Sequence, residues 1–545
     1  MNNLTLRHRF VLRMGAAICS GVFLWLSWPP FEIAYPIFFA WIPLLWLATN
    51  VTHTRRFTFY VLMATLIWNV CTTWWIWNAS PPGAIGAIML NSIFMCIPWI
   101  GFHRVYKKGN KQLAYVALIA YWMCFEYIHF NWDLSWPWLT LGNIFATQPT
   151  WIQWYEYTGT SGGTLWILSI NILLWQVWKT RKKHKHLLCN KYVYWTIGSI
   201  FIPFGMSMFI LIQRQKLVTD NYSNKKNVVI VQPNIDPYTE KFADGTQKDQ
   251  IQKLIQLSLT QIDSNTRLVI WPETAIPTKV LEDEIKTNEY YQPVFELIHT
   301  HPTLTLVTGI DSYKKYTDQD TIPTSAQKDK FGNYYDAFNT ALAVDNNFTL
   351  PVYHKSKLVP GVESLPRWLY FLSKWFEGFG GMSGTYGTQL EPSVFPDFQQ
   401  HYIVAPIICY ESIYGEYVSR YVRKGANILA IITNDGWWGN TEGYQQHMLY
   451  ARLRAIENRC WVARSANTGI SCFIDPLGDI KQPQPWNTAV AIKMSVPTRK
   501  IKTFYTQYGD ILYYTAVSIT IMMVIWALYN YMNNLRLKKY IKNTT

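Results

Sequence analysis

Apolar runs of about 20 residues, the length that crosses the hydrocarbon core of a bilayer, recur through the first 213 positions and return once near the C-terminus. They fall at about 9–28, 34–51, 57–77, 84–103, 113–131, 161–178, 193–213 and 511–531. The second, which holds Pro36 and Pro43, is the least regular. No small-residue cleavage site follows the first; Ser27-Trp28-Pro29-Pro30 stands there instead, so that run is expected to remain as an anchor. The aromatic stretch 132–160, with Trp136-Pro137-Trp138, Gly142 and Pro149, reads as an interfacial or re-entrant loop. From 214 to 510 the pattern changes to short β-type runs alternating with amphipathic stretches, which predicts a layered α/β domain. Strands are expected at Val228–Gln232, Leu268–Trp271, Leu304–Thr308, Thr340–Val344, Ile403–Cys409, Ile428–Thr433, Trp461–Ser465 and Ser471–Ile474. Helices are expected at about 246–262, 283–298, 414–424 and 443–459, and Pro476-Leu477-Gly478-Asp479 reads as a turn. The expected organisation is a polytopic helical membrane domain of seven spans over 1–213, an α/β domain over 214–510, an eighth span at 511–531 and a basic tail over 532–545.

Charge changes this picture by giving it a direction. The formal net charge is +15, and nucleic acid is the first partner such a balance suggests. The basic residues instead cluster beside the apolar runs: Arg7, Arg9 and Arg13; Arg55 and Arg56; Arg104, Lys107, Lys108 and Lys111; six between Lys179 and Lys191; and Arg536, Lys538, Lys539 and Lys542. The alternate connections 29–33, 78–83 and 132–160 hold no Lys or Arg. Lys and Arg accumulate on the cytoplasmic side of short loops. The alternation therefore predicts cytoplasmic termini and a non-cytoplasmic 214–510 domain. Without those nineteen residues the formal charge of +15 becomes −4, and no nucleic-acid partner is needed to explain it. Glu126, late in the fifth run, is either a functional intramembrane carboxylate or a hydrogen-bonding residue near the interface; the second reading is favoured.

The eight cysteines show no metal-type spacing. Cys19, Cys71, Cys96 and Cys124 lie in apolar runs and Cys189 in a basic loop, which leaves Cys409, Cys460 and Cys472 in the α/β domain. Three strand ends there carry candidate chemistry: Glu273 after Val269-Ile270-Trp271-Pro272, Lys355 in Tyr353-His354-Lys355-Ser356-Lys357, and Cys409 after Ala405-Pro406-Ile407-Ile408. Each alone is a weak signal, since a Cys after a strand is usually packing and a Glu after a strand usually solvated.

Together, in this order, they resemble the carbon–nitrogen hydrolase (nitrilase) superfamily. So do Thr433-Asn434-Asp435-Gly436-Trp437-Trp438-Gly439, the run from Gln446-His447 to Cys460, and Ser465-Ala466-Asn467-Thr468-Gly469. The resemblance covers about 225–500 and implies an αββα sandwich with a Glu–Lys–Cys triad. Adding the seven preceding spans and the closing one, the whole chain resembles the apolipoprotein N-acyltransferase family. That family moves an acyl chain from a phospholipid to the N-terminal amine of a diacylglyceryl-cysteine lipoprotein, and it is bacterial and resident in the inner membrane.

By that resemblance Cys409 is the nucleophile, Glu273 the general base, raised by burial toward the working pH, and Lys355 the oxyanion stabiliser. Glu363, eight residues after the lysine, matches the family's second glutamate, and Tyr410 and Glu411 match the residues that follow its cysteine. Phe242 occupies a site usually filled by Trp, and Gly361-Val362 replaces a usual Phe-Gly pair; both bear on the shape of the acyl pocket. Trp437 and Trp438 are expected at the pocket rim and His447 in a structural role. Residues 364–387 are expected to form either an interfacial arm with a Gly-rich tip or a core-packed helix and loop. The implied partners are a phospholipid donor, an apolipoprotein acceptor and membrane lipid, with no metal or cofactor, and a monomer is expected. A membrane-tethered amidase using water would need the same triad but not the seven spans; a relic domain on a scaffold would not need the triad.

Overall fold

The structure is a computed structural model that describes residues 5–181, 190–219, 225–317, 319–365, 385–498 and 501–544. Most of the expected arm, 364–387, lies outside the described residues. The N-terminal region is a bundle of helices: α1 (Leu6–Leu26), α2 (Ile42–Asn50), α3 (Thr54–Thr73), α4 (Pro81–Phe94), α5 (Cys96–Lys107), α6 (Lys111–Phe130), α7 (Thr160–Thr180) and α8 (Lys191–Arg214). Among the described residues five helical stretches are long and apolar enough to cross a membrane: Leu6–Leu26, Pro81–Lys107, Lys111–Phe130, Lys191–Val218 and Ile511–Leu537. The second expected span is not one helix. A 3-10 turn at Tyr35–Phe38 precedes the nine residues of α2, which rise only about 14 Å. Proline stands in the first turn of each piece, where it can open a helix but not continue one from the residues before it. The polar backbone freed at the break is satisfied from α7: Asn171 accepts from Trp41 N at 2.8 Å and donates to the Ile37 carbonyl at 2.8 Å. Such satisfaction is obligatory where no water reaches.

The α/β domain has two sheets. The first runs β14-β1-β2-β4-β6-β5, with β3 on β4 and β7 on β6; the second runs β13-β12-β11-β10-β9-β8. In order, the strands are β1 (Lys226–Gln232), β2 (Thr266–Ile270), β3 (Ile276–Leu281), β4 (Thr305–Lys315), β5 (Gln327–Lys328), β6 (Tyr334–Val344), β7 (Val352–His354), β8 (Phe395–Pro396), β9 (Ile403–Ile408), β10 (Ile428–Thr433), β11 (Trp461–Ala466), β12 (Cys472–Ile474), β13 (Ile480–Lys481) and β14 (Val490–Val496). The centre of each sheet is parallel.

Period-2 alternation separates the two faces of the first sheet. Val228, Ile230, Leu268 and Ile270 join Val404, Ile428, Ala430 and Ala463 of the second sheet in one core. Val229, Val231 and Val269 face α9 (Gln247–Leu259) and α10 (Gln292–Thr300) through Leu254 and Ile298. Helices α11 (Gly415–Arg423) and α12 (Glu442–Asn458) cover the second sheet, which completes an αββα sandwich. The chain closes with α13 (Ile511–Thr544).

Helix α10 starts nine residues later than the pattern predicts. Asn288 turns the chain by accepting from Tyr290 N at 3.0 Å, and Pro293 then opens the helix, a position where its missing N–H costs nothing. The turn at 475–479 is as expected: Asp475 accepts from Leu477 N and Asp479 N, and Gly478 takes φ +90°.

Stretch 132–160 is the seat of the α/β domain, built of 3-10 turns with Trp138, Leu141, Ile144 and Phe145 buried. Trp138 donates to Gln446, Arg452 to the Ala146 carbonyl, and Arg459 to Gln153 and Glu156. Glu126 belongs to the same joint. It accepts from Trp122, Thr164, Tyr513 and the Leu141 backbone at 2.8–2.9 Å, the interface reading of the sequence. The described cysteines are all free.

Candidate active site

Three strand ends converge at one edge of the sandwich. Glu273 follows β2, Lys355 follows β7 in the same sheet, and Cys409 follows β9 in the other. The turn that carries Glu273 is strained. Thr274 takes φ +44°, and Gly309 on β4 lies so close that a Cβ there would meet the Thr274 nitrogen at 2.4 Å. Cys409 also adopts a left-handed φ of +49°, a conformation that costs a residue with a Cβ roughly 1–3 kcal/mol and persists only where its surroundings hold it. Here Ser412 Oγ donates to the Cys409 carbonyl at 2.8 Å and His447 Nε2 lies 3.2 Å from it. His447 in turn meets Asp435 at 2.9 Å, and Arg464 donates to the other Asp435 oxygen at 2.7 Å.

The charges form a closed set. Lys355 Nζ donates to Glu273 Oε1 at 3.2 Å and to Glu363 Oε1 at 2.8 Å. Asn339 Nδ2 reaches the same two oxygens at 2.8 and 3.1 Å. Asn434 N donates to Glu273 Oε2, and Val359 N to Glu363 Oε2. Burial pushes the Glu273 carboxyl up, but the Lys355 ammonium, Asn339 and Lys241 more than offset it, so the group lies below the usual carboxylate range. This corrects the expectation of a raised base. Burial and the Glu273 charge push the Cys409 thiol far up, with Lys355 opposing. The resting site is thus a carboxylate, an ammonium and a neutral thiol.

Tyr410 and Glu411 follow Cys409 and make their hydrogen bonds away from the charge cluster. Tyr410 donates to the Ser135 carbonyl of the seat at 2.9 Å. Glu411 accepts from Tyr353 OH at 2.5 Å and from the Ser356 and Ile408 backbones, and burial pushes it up to about 7. It ties the Lys355 loop to the Cys409 turn. Phe242 and Trp437 stand apart, at an exposed rim: Phe242 is 51 % exposed and stacks on Trp437 at 6.5 Å, with Tyr238 edge-on to the same indole. Trp438, expected beside Trp437 at the rim, packs inward on Trp75 and Trp138 of the membrane domain.

Sequence reasoning missed Asn339 and Lys241. Asn339 is a polar residue within a buried run of β6, a signal the pattern did contain. Lys241 had none. Its ammonium is buried and donates to the Glu273 carbonyl oxygen at 3.0 Å; burial pushes it down to about 8, against the pull of Glu273 and Asp311. Beside this cluster an apolar cavity of about 130 Å³ opens between α4 and loop 359–365, walled by Leu90, Phe94, Trp136 and Val362. Gly361, at φ +80°, lets the loop turn there.

The carbon-nitrogen hydrolase family model matches residues 227–498, and the model of the apolipoprotein N-acyltransferase N-terminal domain matches residues 20–173. The chain is 30 % identical over 520 residues to the apolipoprotein N-acyltransferase of Chlorobaculum tepidum, covering 92 % of this chain and 94 % of that one. It is 25 % identical over 542 residues to that of Thermotoga maritima, covering 95 % and 94 %. Among solved structures, Saccharomyces cerevisiae Nit3 of the nitrilase superfamily aligns over 52 % of this chain and 94 % of its own, with 16 % identity and a TM-score of 0.36.

Proposed function

The chain belongs to the apolipoprotein N-acyltransferase family, and from that premise we propose that Cys409 carries an acyl chain, as a thioester, from a membrane phospholipid to the N-terminal amine of an apolipoprotein. It is a membrane-embedded acyltransferase. The observation that carries the residue assignment is the shared ammonium: one buried lysine bridges two carboxylates beside a strained cysteine.

In the first half-reaction Glu273 takes the Cys409 proton as sulfur attacks the ester carbonyl. Because the carboxyl lies low and the thiol high, the thiolate forms only as it attacks. Lys355 and the Tyr410 backbone N–H hold the oxyanion, a role in which one donor is typically worth about 10²–10³ in rate. The carbon–oxygen bond breaks, Glu273 returns the proton to the departing lysophospholipid oxygen, and the thioester remains. The neutral α-amine then attacks, Glu273 takes its proton and passes it to the departing sulfur as the carbon–sulfur bond breaks, which restores the thiol and the carboxylate. Two half-reactions through one site are ping-pong. The cavity below loop 359–365 receives the acyl chain, and the Phe242–Trp437 rim borders the acceptor.

Loop charges support a topology with both termini in the cytoplasm, eight crossings and the catalytic domain on the periplasmic side of the inner membrane. The enzyme acts as a monomer in this reading.

The test uses phospholipid labelled in one acyl chain. Label is expected on Cys409 first and then, when a diacylglyceryl-cysteine peptide is added, on the peptide amine. Release of the label only as free fatty acid would establish the amidase-like use of water instead.

The pH dependence follows from the charges. A base whose pKa is depressed stays in its active form above that pKa and loses it only as pH falls through it. Single-turnover acylation is therefore expected to stay flat from pH 8 down to about pH 5, below which an ordinary carboxylate would begin to protonate. Lys241→Met removes one of the charges that hold Glu273 low, so its acid limb moves to higher pH. An acid limb at the same pH in Lys241→Met and wild type would remove Lys241 from this role.

A further inference from the structure

Behind the nucleophile lies a buried histidine that the transfer chemistry does not use. His447, on the second turn of α12, is 1 % exposed, and its ring packs against Trp138 and Trp438 at 5.9 and 5.4 Å. The polar residues around it, Ser412, Asp435 and Arg464, are buried as well. Their hydrogen bonds assign one proton of the ring. The Cys409 carbonyl can only accept, and Ser412 Oγ donates to it at 2.8 Å, which uses the single proton of that hydroxyl. His447 Nε2 lies 3.2 Å from the same carbonyl and 2.9 Å from Ser412 Oγ. Both partners of Nε2 are therefore acceptors, so Nε2 carries a proton and donates it.

The other side of the ring is anchored. Nδ1 meets Asp435 Oδ1 at 2.9 Å and Arg464 Nη2 at 3.1 Å. Asp435 is held in turn by Arg464 at 2.7 Å and by the Thr433 hydroxyl at 3.0 Å. Burial pushes the Asp435 carboxyl up, but Arg464 and His447 more than offset it, so it stays a carboxylate. The imidazole is thus fixed in plane and aimed at one atom, the Cys409 carbonyl oxygen. That oxygen and the Tyr410 N–H belong to a single planar peptide group. Donors at the carbonyl end polarise the whole group and strengthen its N–H as a donor, by roughly 10–30 % per bond in series. They also set the line along which the N–H points.

We propose that His447, together with Ser412, is a positioning residue for the oxyanion: by donating to the Cys409 carbonyl it directs and strengthens the Tyr410 N–H that receives negative charge in both half-reactions. The inference rests on the acyl-transfer reading above and adds to it a residue that touches neither substrate. It gives the chain Arg464–Asp435–His447 a task beyond packing, since each member is braced by the next and the last acts on the peptide that follows the nucleophile.

The experiment forms the acyl-enzyme of the full chain in detergent from phospholipid isotopically labelled at the acyl carbonyl carbon. The thioester carbonyl stretch is read by isotope-difference infrared spectroscopy, beside the single-turnover rate of acylation. In wild type the stretch is expected below that of the same acyl thioester on a small thiol, because donors hold its oxygen. His447→Phe keeps the ring against Trp138 and Trp438 and removes its hydrogen bonds. Its stretch should move up toward that of the small thioester. Acylation should slow about tenfold at an unchanged half-saturating donor concentration, a part of the 10²–10³ or so that outright loss of a donor costs. Ser412→Ala removes the other donor to the carbonyl; it should shift the stretch the same way and serves as the second variant should His447→Phe not fold. His447→Gln, which offers an N–H near the place of Nε2, should recover part of both effects. A wild-type stretch in folded His447→Phe or Ser412→Ala would overturn the proposal, even where the rate falls, because the loss would then lie elsewhere. Failure of wild type to take up any label is a separate result and would overturn the acyl-transfer reading itself.

Discussion

Lys355→Met is expected to cost this protein its activity and a large part of its stability together. The lysine is 1 % exposed and pairs with two carboxylates that are themselves almost buried. Methionine keeps the stem and removes the charge. Glu273 and Glu363 then face each other across Asn339, which donates to both but cannot neutralise either. Removing one partner of a buried ion pair typically destabilises by about 3–5 kcal/mol, because the remaining charge is left uncompensated. The apparent melting temperature of the full chain in detergent should fall accordingly, and Cys409 acylation should fall by at least the 10²–10³ or so of a lost oxyanion donor. Adding Glu363→Gln to Lys355→Met separates the two effects. It removes one of the stranded charges, so part of the stability should return while acylation does not. If the double variant melts no higher than Lys355→Met, the stranded carboxylates are not the source of the loss.

Cys409→Ala should do the reverse, abolishing turnover while leaving the fold intact. The thiol is absent from the hydrogen bonds that tie Glu273, Lys355, Glu363 and Asn339 together, so that cluster survives its removal. Loss of a catalytic nucleophile can cost on the order of 10⁶ in rate, and neither labelled enzyme nor labelled peptide should form. The backbone adds a second readout. Cys409 sits at φ +49°, which alanine tolerates no better than cysteine and glycine adopts freely. Cys409→Gly should therefore melt above Cys409→Ala, by the few degrees that about 1 kcal/mol yields in a chain of this kind. The opposite order would show that the turn stores no strain.

The sandwich was readable from its alternation. All eight expected strands are present, seven of them starting within two residues of the expected position and β6 six residues earlier, because each carries a short run of β-forming or apolar residues. β4 and β6 extend well beyond the expected segments; their outer halves, such as Tyr313-Lys314-Lys315 and Tyr334-Tyr335-Asp336, are polar and are held by pairing with each other. β3, β5, β7, β8, β13 and β14 carry no comparable run. They are strands because a neighbour's edge was open to them, a tertiary fact.

The site divides in the same way. Glu273, Lys355, Cys409 and Glu363 stand at strand ends or at a fixed spacing from one, so order along the chain pointed to them. Lys241 lies in an irregular loop between β1 and α9, and nothing local separates it from a surface lysine; only the fold carries its ammonium to the Glu273 carbonyl. The direction of the Glu273 shift was misjudged for the same reason. Burial can be anticipated from a sequence, but the two ammonium groups and the amide that outweigh it come from three separate segments.

By itself the sequence determined the two-part architecture, the charge asymmetry of the loops and the candidate residues Glu273, Lys355 and Cys409, because periodicity, hydrophobic length and loop composition are local properties. Tertiary structure alone decided that stretch 132–160 is the seat of the α/β domain, that the second apolar run is broken and held together by Asn171, and that Lys355 serves two carboxylates. Each depends on contacts between residues tens to hundreds of positions apart, and pairing of buried charges at that separation is set by where the sheets and helices bring their ends.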